Sequence, residues 1–161
     1  GSYFNNVENI LPISYLRIGT SVHIRTENNL PDNFCFYSEK FYIEHILMNL
    51  IRNAVEAVRE KQQKQEGFKG EITILIEYLE SSDKVKFTVK DNGPGFPKKM
   101  SSDHITPFYS TRKGKMRGLG MYICNEFVRT LNGSMTIKSG KNGGKVSFCI
   151  PARRKGEGHG R

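Results

Sequence analysis

One long amphipathic pattern, from Ser38 to Gly67, constrains the fold of this chain more than any other feature. Apolar side chains recur there at intervals of three and four residues, which places them along one face of an α-helix. They are Ile43, Ile46, Leu47, Leu50, Ile51, Ala54, Val55 and Val58. Ser38 has the side chain of a helix N-cap, and Gly67 is a typical stop. The pattern predicts a long helix that buries one face against a core.

Strand patterns lie on both sides of this helix. The stretches TSVHIRTENN and FCFYS precede it, and GEITILIEYLE and KVKFTVKD follow it, separated by the turn SSD. They alternate apolar and polar residues, which is typical of half-buried strands. The chain continues with a second helix, LGMYICNEFVRTLNG, and closes with a hairpin of SMTIKSG and KVSFCIPA across KNGG. The long aperiodic stretch KKMSSDHITPFYSTRKGKMRGLG precedes the second helix, and a loop of this length inside a domain is usually functional or mobile.

Composition limits the class of protein. A chain of 161 residues with 37% hydrophobic content is one domain with its own core. No apolar run approaches the roughly 20 residues of a membrane helix, and no secretion signal is present. The three cysteines, Cys35, Cys124 and Cys149, lack CxxC spacing. We interpret them as small hydrophobic residues of a reducing compartment rather than as zinc ligands or a disulfide framework.

The formal net charge of +9 raises the question of a nucleic-acid partner. Much of the excess lies in two places, the loop TRKGKMRG and the tail ARRKGEGHGR. The tail is glycine-rich and lacks apolar residues, which favours a solvated end. The loop lies within a few residues of glycines that could hold phosphates. We therefore assign its charge to a phosphate-bearing ligand and expect no nucleic-acid partner.

Two asparagines project from one face of the predicted long helix. Asn49 and Asn53 are four residues apart, with His45 one turn before them. Asparagine is a mediocre helix former and costly to bury, so the pair needs an explanation. One explanation is a polar strip that faces solvent. The other is that an amide oxygen binds a hard cation such as Mg²⁺, which takes few protein ligands and completes its shell with water and phosphates.

Two glycine pairs lie downstream. In DNGPGF the carboxylate of Asp91 ends a strand and is followed by Gly93 and Gly95. This is either an ordinary turn or a site where the carboxylate accepts from a ligand's amino group while the glycines let backbone approach the ligand. Gly118 and Gly120 open the second helix, where free backbone amides favour a phosphate. The chain lacks the GxxxxGK[ST] and GxGxxG patterns of other nucleotide folds.

These stretches, in this order, resemble a known family. HILMNLIRNAVEA is similar to the N box, DNGPGF to the first glycine box, TPFYSTR to the F box and GLGMYI to the second glycine box of the catalytic, ATP-binding domain of sensor histidine kinases. That domain shares a superfamily with gyrase and with chaperone and mismatch-repair ATPases. The resemblance covers roughly residues 20–151. It implies an α+β fold, a two-layer α/β sandwich in which a mixed β-sheet packs on helices, with an ATP lid between them.

The resemblance implies a role for each matching residue in binding ATP and Mg²⁺. Asp91 would accept a hydrogen bond from the adenine amino group, and Gly93 and Gly95 would shape the adenine and ribose wall. Asn53 would bind Mg²⁺, with Asn49 beside it near the phosphates. Residues 97–117 resemble the lid. Its implied contacts are Phe108, packing as the F-box aromatic, and the phosphate-binding side chains Arg112, Lys113, Lys115 and Arg117. Backbone amides of Gly118, Leu119 and Gly120 would meet the triphosphate.

The residue at position 49 discriminates within the superfamily. Members that hydrolyse ATP carry Glu there as a general base, whereas an amide cannot take a proton at neutral pH. The consistent chemistry is transfer of the γ-phosphoryl to a histidine, with Asn49 and Asn53 in the catalytic centre. The alternatives are an anti-sigma-type serine kinase or an ATPase on the same fold, or a catalytically silent regulatory module. Two departures from the family pattern are Glu56, as in nitrogen-regulator-like kinases, where many members have Lys, and Lys145 where a Thr often helps to hold adenine.

The acceptor histidine has no counterpart in this chain, since none of the four histidines lies in an H-E-x-x-x-P context. The resemblance implies a separate dimerisation and phosphoacceptor domain, a downstream response regulator or receiver domain, a homodimeric parent and a monomeric isolated domain. The expected location is cytoplasmic, with a parent that could be anchored in the inner membrane. The expected boundaries are a tag and leader at residues 1–18, the catalytic domain at 19–152 and a disordered tail at 153–161.

Overall fold

The computed structural model describes residues 1–11, 22–95 and 116–154, and of the side chains in the last range those from Gly120 onward. Eight strands and two α-helices are assigned there. The strands are β1 (Ser2–Phe4), β2 (Val22–Asn29), β3 (Phe36–Ser38), β4 (Gly70–Leu79), β5 (Lys84–Asp91), β6 (Ser134–Gly140), β7 (Gly143–Pro151) and β8 (Arg153–Arg154). The helices are α1 (Lys40–Lys64) and α2 (Met116–Thr130). Short 3-10 helices span Val7–Asn9 and Glu80–Ser82.

The main sheet has five strands in the order β2-β4-β5-β7-β6. It is mixed, because β2 pairs parallel with β4 whereas every other pair is antiparallel. Helix α1 packs on β4 and β5, and α2 packs on α1 and on β6 and β7. This arrangement confirms the predicted α+β fold with a mixed sheet against helices. A smaller sheet, in the order β1-β3-β8, is antiparallel throughout.

A line of aromatic rings connects the small sheet to the centre of the large one. The ring of Phe4 lies 5.9 Å from that of Phe36, which lies 5.9 Å from that of Phe87. Phe87 stacks on Phe148 with the ring centroids 4.7 Å apart. All four side chains are at most 3% exposed. Because aromatic side chains bury large apolar areas, this line is a major part of the core that supports α1.

The helix boundaries partly differ from the expectation. Ser38 is not the N-cap of α1, because its backbone is extended in β3 and pairs with Ser2. The helix begins two residues later, after Glu39, whose side chain makes no capping hydrogen bond. The predicted end of α2 is confirmed. Asn132 is left-handed, with φ of 61°, and the amide of Gly133 bonds to the carbonyl of Val128 at 2.9 Å, which is a common way to close a helix.

Both expected flanks take part in this fold. The predicted leader contributes β1 and four side chains that are at most 3% exposed, Phe4, Val7, Ile10 and Leu11. Their apolar surface is buried against the same core, which aperiodic spacing did not reveal. In the predicted tail, Arg153 and Arg154 form β8, and the Arg154 guanidinium stacks over the ring of Tyr78. Residues 155–161 lie outside the described residues.

The described cysteines are free, as expected, but only Cys124 is fully buried, whereas Cys35 and Cys149 are half-buried. Across the described ranges, no helix is both long enough and apolar enough to cross a membrane.

Candidate functional site

One row of side chains on α1 organises the candidate site. His45, Asn49, Asn53, Ala57 and Lys61 are spaced by four residues, so they follow one another along a strip that winds around the helix by about 40° per step. From Asn49 to Ala57 the helix rises by about 12 Å. The first part of the row faces α2, and the later part faces the loop after β5. The row therefore touches both glycine-containing stretches that the sequence singled out.

Asn49 lies against α2. Its side-chain Nδ2 donates to the carbonyl of His45 at 3.0 Å. A Cβ added to Gly120 would lie 3.8 Å from the Asn49 Oδ1 atom, which leaves ordinary van der Waals space between them. One turn further along α2, the Cys124 thiol lies near Asn49 and donates a long hydrogen bond to the carbonyl of Ile46, at 3.9 Å. The half-buried side chain of Asn49 therefore lies beside α2.

Asn53 is the more deeply buried of the pair, with 9% of its surface exposed. Its Nδ2 atom donates to the sulfur of Met121, the residue that follows Gly120, at 3.1 Å. Because the nitrogen is directed to a thioether, the carbonyl oxygen is the atom of this amide suited to a hard cation. No cluster of three or more His, Cys, Asp or Glu side chains that could hold a metal occurs in the described ranges. The fit is to Mg²⁺ bound by few protein atoms, the usual case beside nucleotide phosphates.

Asp91 ends β5 with only 6% of its surface exposed. Its Oδ1 atom accepts from the backbone N–H of Gly93 at 2.8 Å and from that of Gly144 at 3.4 Å. Two backbone donors fix the orientation of the carboxylate between its own loop and the β6–β7 hairpin. An ionised carboxylate has about four acceptor positions. A ligand's amino group is a suitable further donor.

The glycines around Asp91 are required by contacts within the protein. A Cβ at Gly93 would lie 2.9 Å from the carbonyl carbon of Ala57 and 2.9 Å from Asp91 Oδ1. Gly95 has φ of +85°, and a Cβ there would collide with Ser139 Oγ. Both glycines thus let the loop approach α1 and the β6–β7 hairpin closely. Their role in an adenine and ribose wall stays a prediction.

Two residues that the sequence analysis missed complete this corner. Gly143 has φ of +131°, and a Cβ there would collide with the carbonyl of Asp91. Asn92 joins the loop to the start of β4: its Oδ1 accepts from the Glu71 amide at 2.8 Å, and its Nδ2 donates to the Lys69 carbonyl at 3.0 Å. Lys61, the last residue of the α1 row, donates to the Asn92 carbonyl at 3.4 Å. The tandem glycines of KNGG were the only sequence signal for any of these contacts.

Helix α2 begins before the glycines that were expected to open it. It starts at Met116, so Gly118, Leu119 and Gly120 lie within its first two turns. In a regular helix the amide of Gly118 is still without an intrahelical acceptor, whereas that of Gly120 pairs with the carbonyl of Met116. Phe108, Arg112, Lys113 and Lys115 lie outside the described residues, and so does the side chain of Arg117.

Burial shapes the chemistry between the helices. Desolvation raises the pKa of the Cys124 thiol to about 12, an effect that the hydrogen bond to Asn49 partly offsets. The thiol is therefore neutral at physiological pH and is not a nucleophile there. His45, one turn before Asn49, is exposed, and its Nδ1 contacts the carbonyl of Phe41 at 2.9 Å. Its ring packs on that of Phe41, with the centroids 4.4 Å apart.

A family model described as histidine kinase-, DNA gyrase B-, and HSP90-like ATPase matches residues 39–154. The chain belongs to this family. The match begins one residue before α1 and ends with β8, so it includes the α1 row and the Asp91 loop. Membership in this ATPase family confirms the predicted class of nucleotide-binding fold.

Similar proteins of known name are bacterial sensors. The C4-dicarboxylate transport sensor protein DctB of Rhizobium meliloti (strain 1021) is 30% identical over 124 residues, which make up 77% of this chain and 18% of that protein. Sensor histidine kinase WalK of Bacillus subtilis (strain 168) is 30% identical over 143 residues, 84% of this chain and 22% of that protein. The chain thus spans about a fifth of the length of these relatives.

Solved structures of histidine kinases have the same fold. The catalytic domain of histidine kinase ThkA, in a nucleotide-free form, matches with a TM-score of 0.69 and 22% identity, covering 96% of this chain and 98% of that one. ThkA in complex with response regulator protein TrrA matches with a TM-score of 0.67 and 22% identity, covering 94% of this chain and 41% of that one. With the family match, these similarities confirm that the chain is a catalytic, ATP-binding domain of the sensor histidine kinase type.

Proposed function

We propose that this domain binds Mg-ATP along the α1 row and transfers the γ-phosphoryl to a histidine of a separate dimerisation and phosphoacceptor domain. One observation carries the proposal. Asn49 and Asn53 face the start of α2, and one turn later Ala57 lies under the Asp91 loop. The carboxylate that we propose for adenine, at the end of β5, and the amide that we propose for the metal, on α1, therefore lie about one helical turn apart along α1.

Different residues of the chain would bind the adenine, the metal ion and the phosphates. Asp91, oriented by two backbone amides, accepts from the adenine amino group and selects the base. The oxygen of Asn53 is placed to bind Mg²⁺, which supplies charge neutralisation for the phosphates when it is bound. Asn49 stands beside it, at the phosphate end. The backbone amides of Gly118, Leu119 and Gly120 and the basic residues Arg112 and Lys113 are proposed to contact the phosphates, which would require the first turn of α2 to open around the ligand.

The identity of residue 49 favours a histidine acceptor over water. A side-chain amide cannot accept a proton at neutral pH, and the Nδ2 of Asn49 already donates to the carbonyl of His45. A water molecule at this position would lack a general base. A neutral imidazole is nucleophilic without one, so positioning and charge stabilisation are sufficient for phosphoryl transfer.

The partners follow from this chemistry. The phosphorylated histidine would pass its phosphoryl group to a response regulator, as the name of the ThkA complex suggests for that kinase. We propose a homodimeric parent whose catalytic domains work in the cytoplasm, where ATP is available and where free cysteines such as those described here persist.

The test is calorimetric titration of a non-hydrolysable ATP analogue into the wild-type chain and into Asp91→Asn, with and without Mg²⁺. The exchange replaces an acceptor oxygen with a donor NH₂ opposite the adenine amino group, so we expect roughly 10- to 100-fold weaker binding, the loss typical of a hydrogen bond to a charged group. Asp32→Asn, at an exposed loop position, is the matched control and should bind as the wild type does.

Phosphoryl transfer is tested separately, by supplying an acceptor domain and following acid-labile phosphohistidine. If Asp91→Asn binds as tightly as Asp32→Asn, the assignment of Asp91 to adenine is wrong. Tight binding without transfer to any histidine would favour the silent regulatory module. Hydrolysis by the isolated chain would favour an ATPase.

A further inference from the structure

Five lysines point away from the helices on one side of the main sheet. They lie on β5, β6 and β7, where core-facing residues alternate with outward ones; Val85, Phe87 and Val89 are the buried neighbours on β5. The lysines are Lys84, Lys86, Lys90, Lys138 and Lys145. We call them the lysine face. Lys86 is directly opposite Cys149, an outward residue of β7, and Lys84 is opposite Pro151 on the same strand.

Strand pairing aligns three of these lysines. Lys138 is directly opposite Lys145, and Lys145 is directly opposite Lys90. Because neighbouring strands are about 4.8 Å apart, three like charges follow one another over about 10 Å. Like charges that are directly opposite destabilise a sheet. The fold thus carries an unfavourable arrangement that packing does not require, since the side chains point to solvent.

Acidic residues border the lysine face only on the β4 side. The outward positions of β5, β6 and β7 include no Asp or Glu. On β4 the residue opposite Lys90 is Thr73, and the acidic residues are Glu77, opposite Lys86, and Glu71, diagonal to Lys90. Among the described residues, no ion pair involves Lys90, Lys138 or Lys145. The charge of this surface is therefore available to an anionic partner.

The surface between the lysines is low and polar. Thr88 and Ser147 are opposite each other, with their hydroxyl oxygens 3.0 Å apart and 4% of each residue exposed. The other outward residues are Ser134, Thr136, Gly140, Cys149 and Pro151. These side chains are short and include no aromatic ring. Lys90 and Lys138 are exposed, whereas Lys84, Lys86 and Lys145 are half-buried.

We propose that the lysine face binds the headgroup layer of an anionic lipid bilayer. Protein interfaces are depleted of Lys at their centres and enriched in aromatic residues and Arg. Recognition of nucleic-acid bases uses Arg forks and aromatic stacking. The outward positions of these three strands carry neither Arg nor an aromatic residue. Clusters of four to eight basic residues are instead typical of binding to anionic lipids, where each Lys acts as a point charge. The lysine face has five.

This inference is independent of phosphoryl transfer. The lysines lie on the opposite side of the sheet from α1 and α2, which hold the candidate nucleotide site. A domain bound to a bilayer through the lysine face would keep the α1 row and the Asp91 loop accessible. Lipid binding would thus restrict where the domain sits without covering the site.

The test is co-sedimentation of the chain with vesicles of phosphatidylglycerol and phosphatidylethanolamine, compared with vesicles of phosphatidylcholine alone. We expect binding to the anionic vesicles only, and weaker binding as salt is raised. The variant Lys90→Gln/Lys138→Gln/Lys145→Gln should bind on the order of a hundredfold more weakly, at about fivefold per lysine. The same triple exchange to Arg keeps the charge and should bind as the wild type does.

The matched control is Lys40→Gln/Lys64→Gln/Lys69→Gln, which removes the same charge from exposed positions off the lysine face. It should weaken binding less than about fivefold, because screening limits the effect of distant charges. Equal losses in the two Gln triples would overturn the proposal, as would absence of wild-type binding to anionic vesicles at low salt. Preferential binding of duplex DNA that displaces the vesicles would also overturn it. Thermal unfolding of each variant confirms that it is folded.

Discussion

The contact between Gly93 and α1 gives a prediction that can be worked out from the structure. In Gly93→Ala the new methyl group would lie 2.9 Å from the carbonyl carbon of Ala57. Carbon atoms pack best at about 3.5–4.0 Å, so the Asp91 loop would have to move by more than half an ångström. Overpacking of this kind costs about 1–3 kcal/mol. For a domain of this size, that corresponds to a fall in Tm of about 2–12 °C.

The same movement should disturb Asp91. The Gly93 amide donates to Asp91 Oδ1 at 2.8 Å, so a displaced loop lengthens that bond or turns the carboxylate. We expect at least about a tenfold loss of affinity for an ATP analogue, equivalent to one hydrogen bond to a charged group. The assays are thermal unfolding followed by calorimetric titration.

Gly140→Ala is the control for this exchange. It lies at the end of β6, where a Cβ would meet nothing within 4 Å, and it has no positive φ. Its stability should change by less than about 0.5 kcal/mol. If Gly93→Ala and Gly140→Ala had the same Tm and the same nucleotide affinity, the close approach of the loop to α1 would be refuted.

Two further predictions concern the space between the helices. Asn53→Ala should remove the Mg²⁺ dependence of ATP-analogue binding, because it deletes the amide oxygen suited to the cation. The control Asn142→Ala, in the exposed β6–β7 turn, should keep that dependence. If both variants keep it, Asn53 is not a metal ligand. The pKa of the Cys124 thiol is about 12 in the folded protein, whereas its ordinary value, expected in the unfolded chain, is 9.0. Above about pH 9 the unfolded chain loses this proton and the folded protein keeps it, so the free energy of unfolding falls as pH rises. From about pH 8 to about pH 10.5, the free energy of unfolding measured with urea should fall by about 2 kcal/mol more for the wild type than for Cys124→Ala. Equal losses would mean that the thiol is not held neutral.

Local patterns were sufficient for most of the secondary structure. The apolar spacing of α1, the alternation in β4 and β5, and the Asn132-Gly133 stop were all visible as neighbours in sequence. The exceptions have a physical reason. Ser38 has a capping side chain, but pairing of β3 with β1 holds its backbone extended. Arg153 and Arg154 look like part of a charged tail, but β3 offers them a free edge to pair with.

The candidate site also combines features that local spacing predicts with contacts that only the packing of distant segments creates. The spacing of Asn49 and Asn53 sets them on one face of a helix whatever the rest of the chain does. It does not say what that face meets. The partners of these side chains, Met121 and Cys124, are about 70 residues away along the chain. Only the packing of α2 on α1 brings them together.

The sequence by itself determined the order of the elements, the class of the domain and the residue types available for chemistry, because these depend on local periodicity and on motifs. The tertiary structure decided what each of them touches. It brought Gly93 and Gly95 into close contact with α1 and the β6–β7 hairpin, and it aligned Lys90, Lys138 and Lys145 across three strands. Register and close packing are relations between distant segments, so no local pattern contains them.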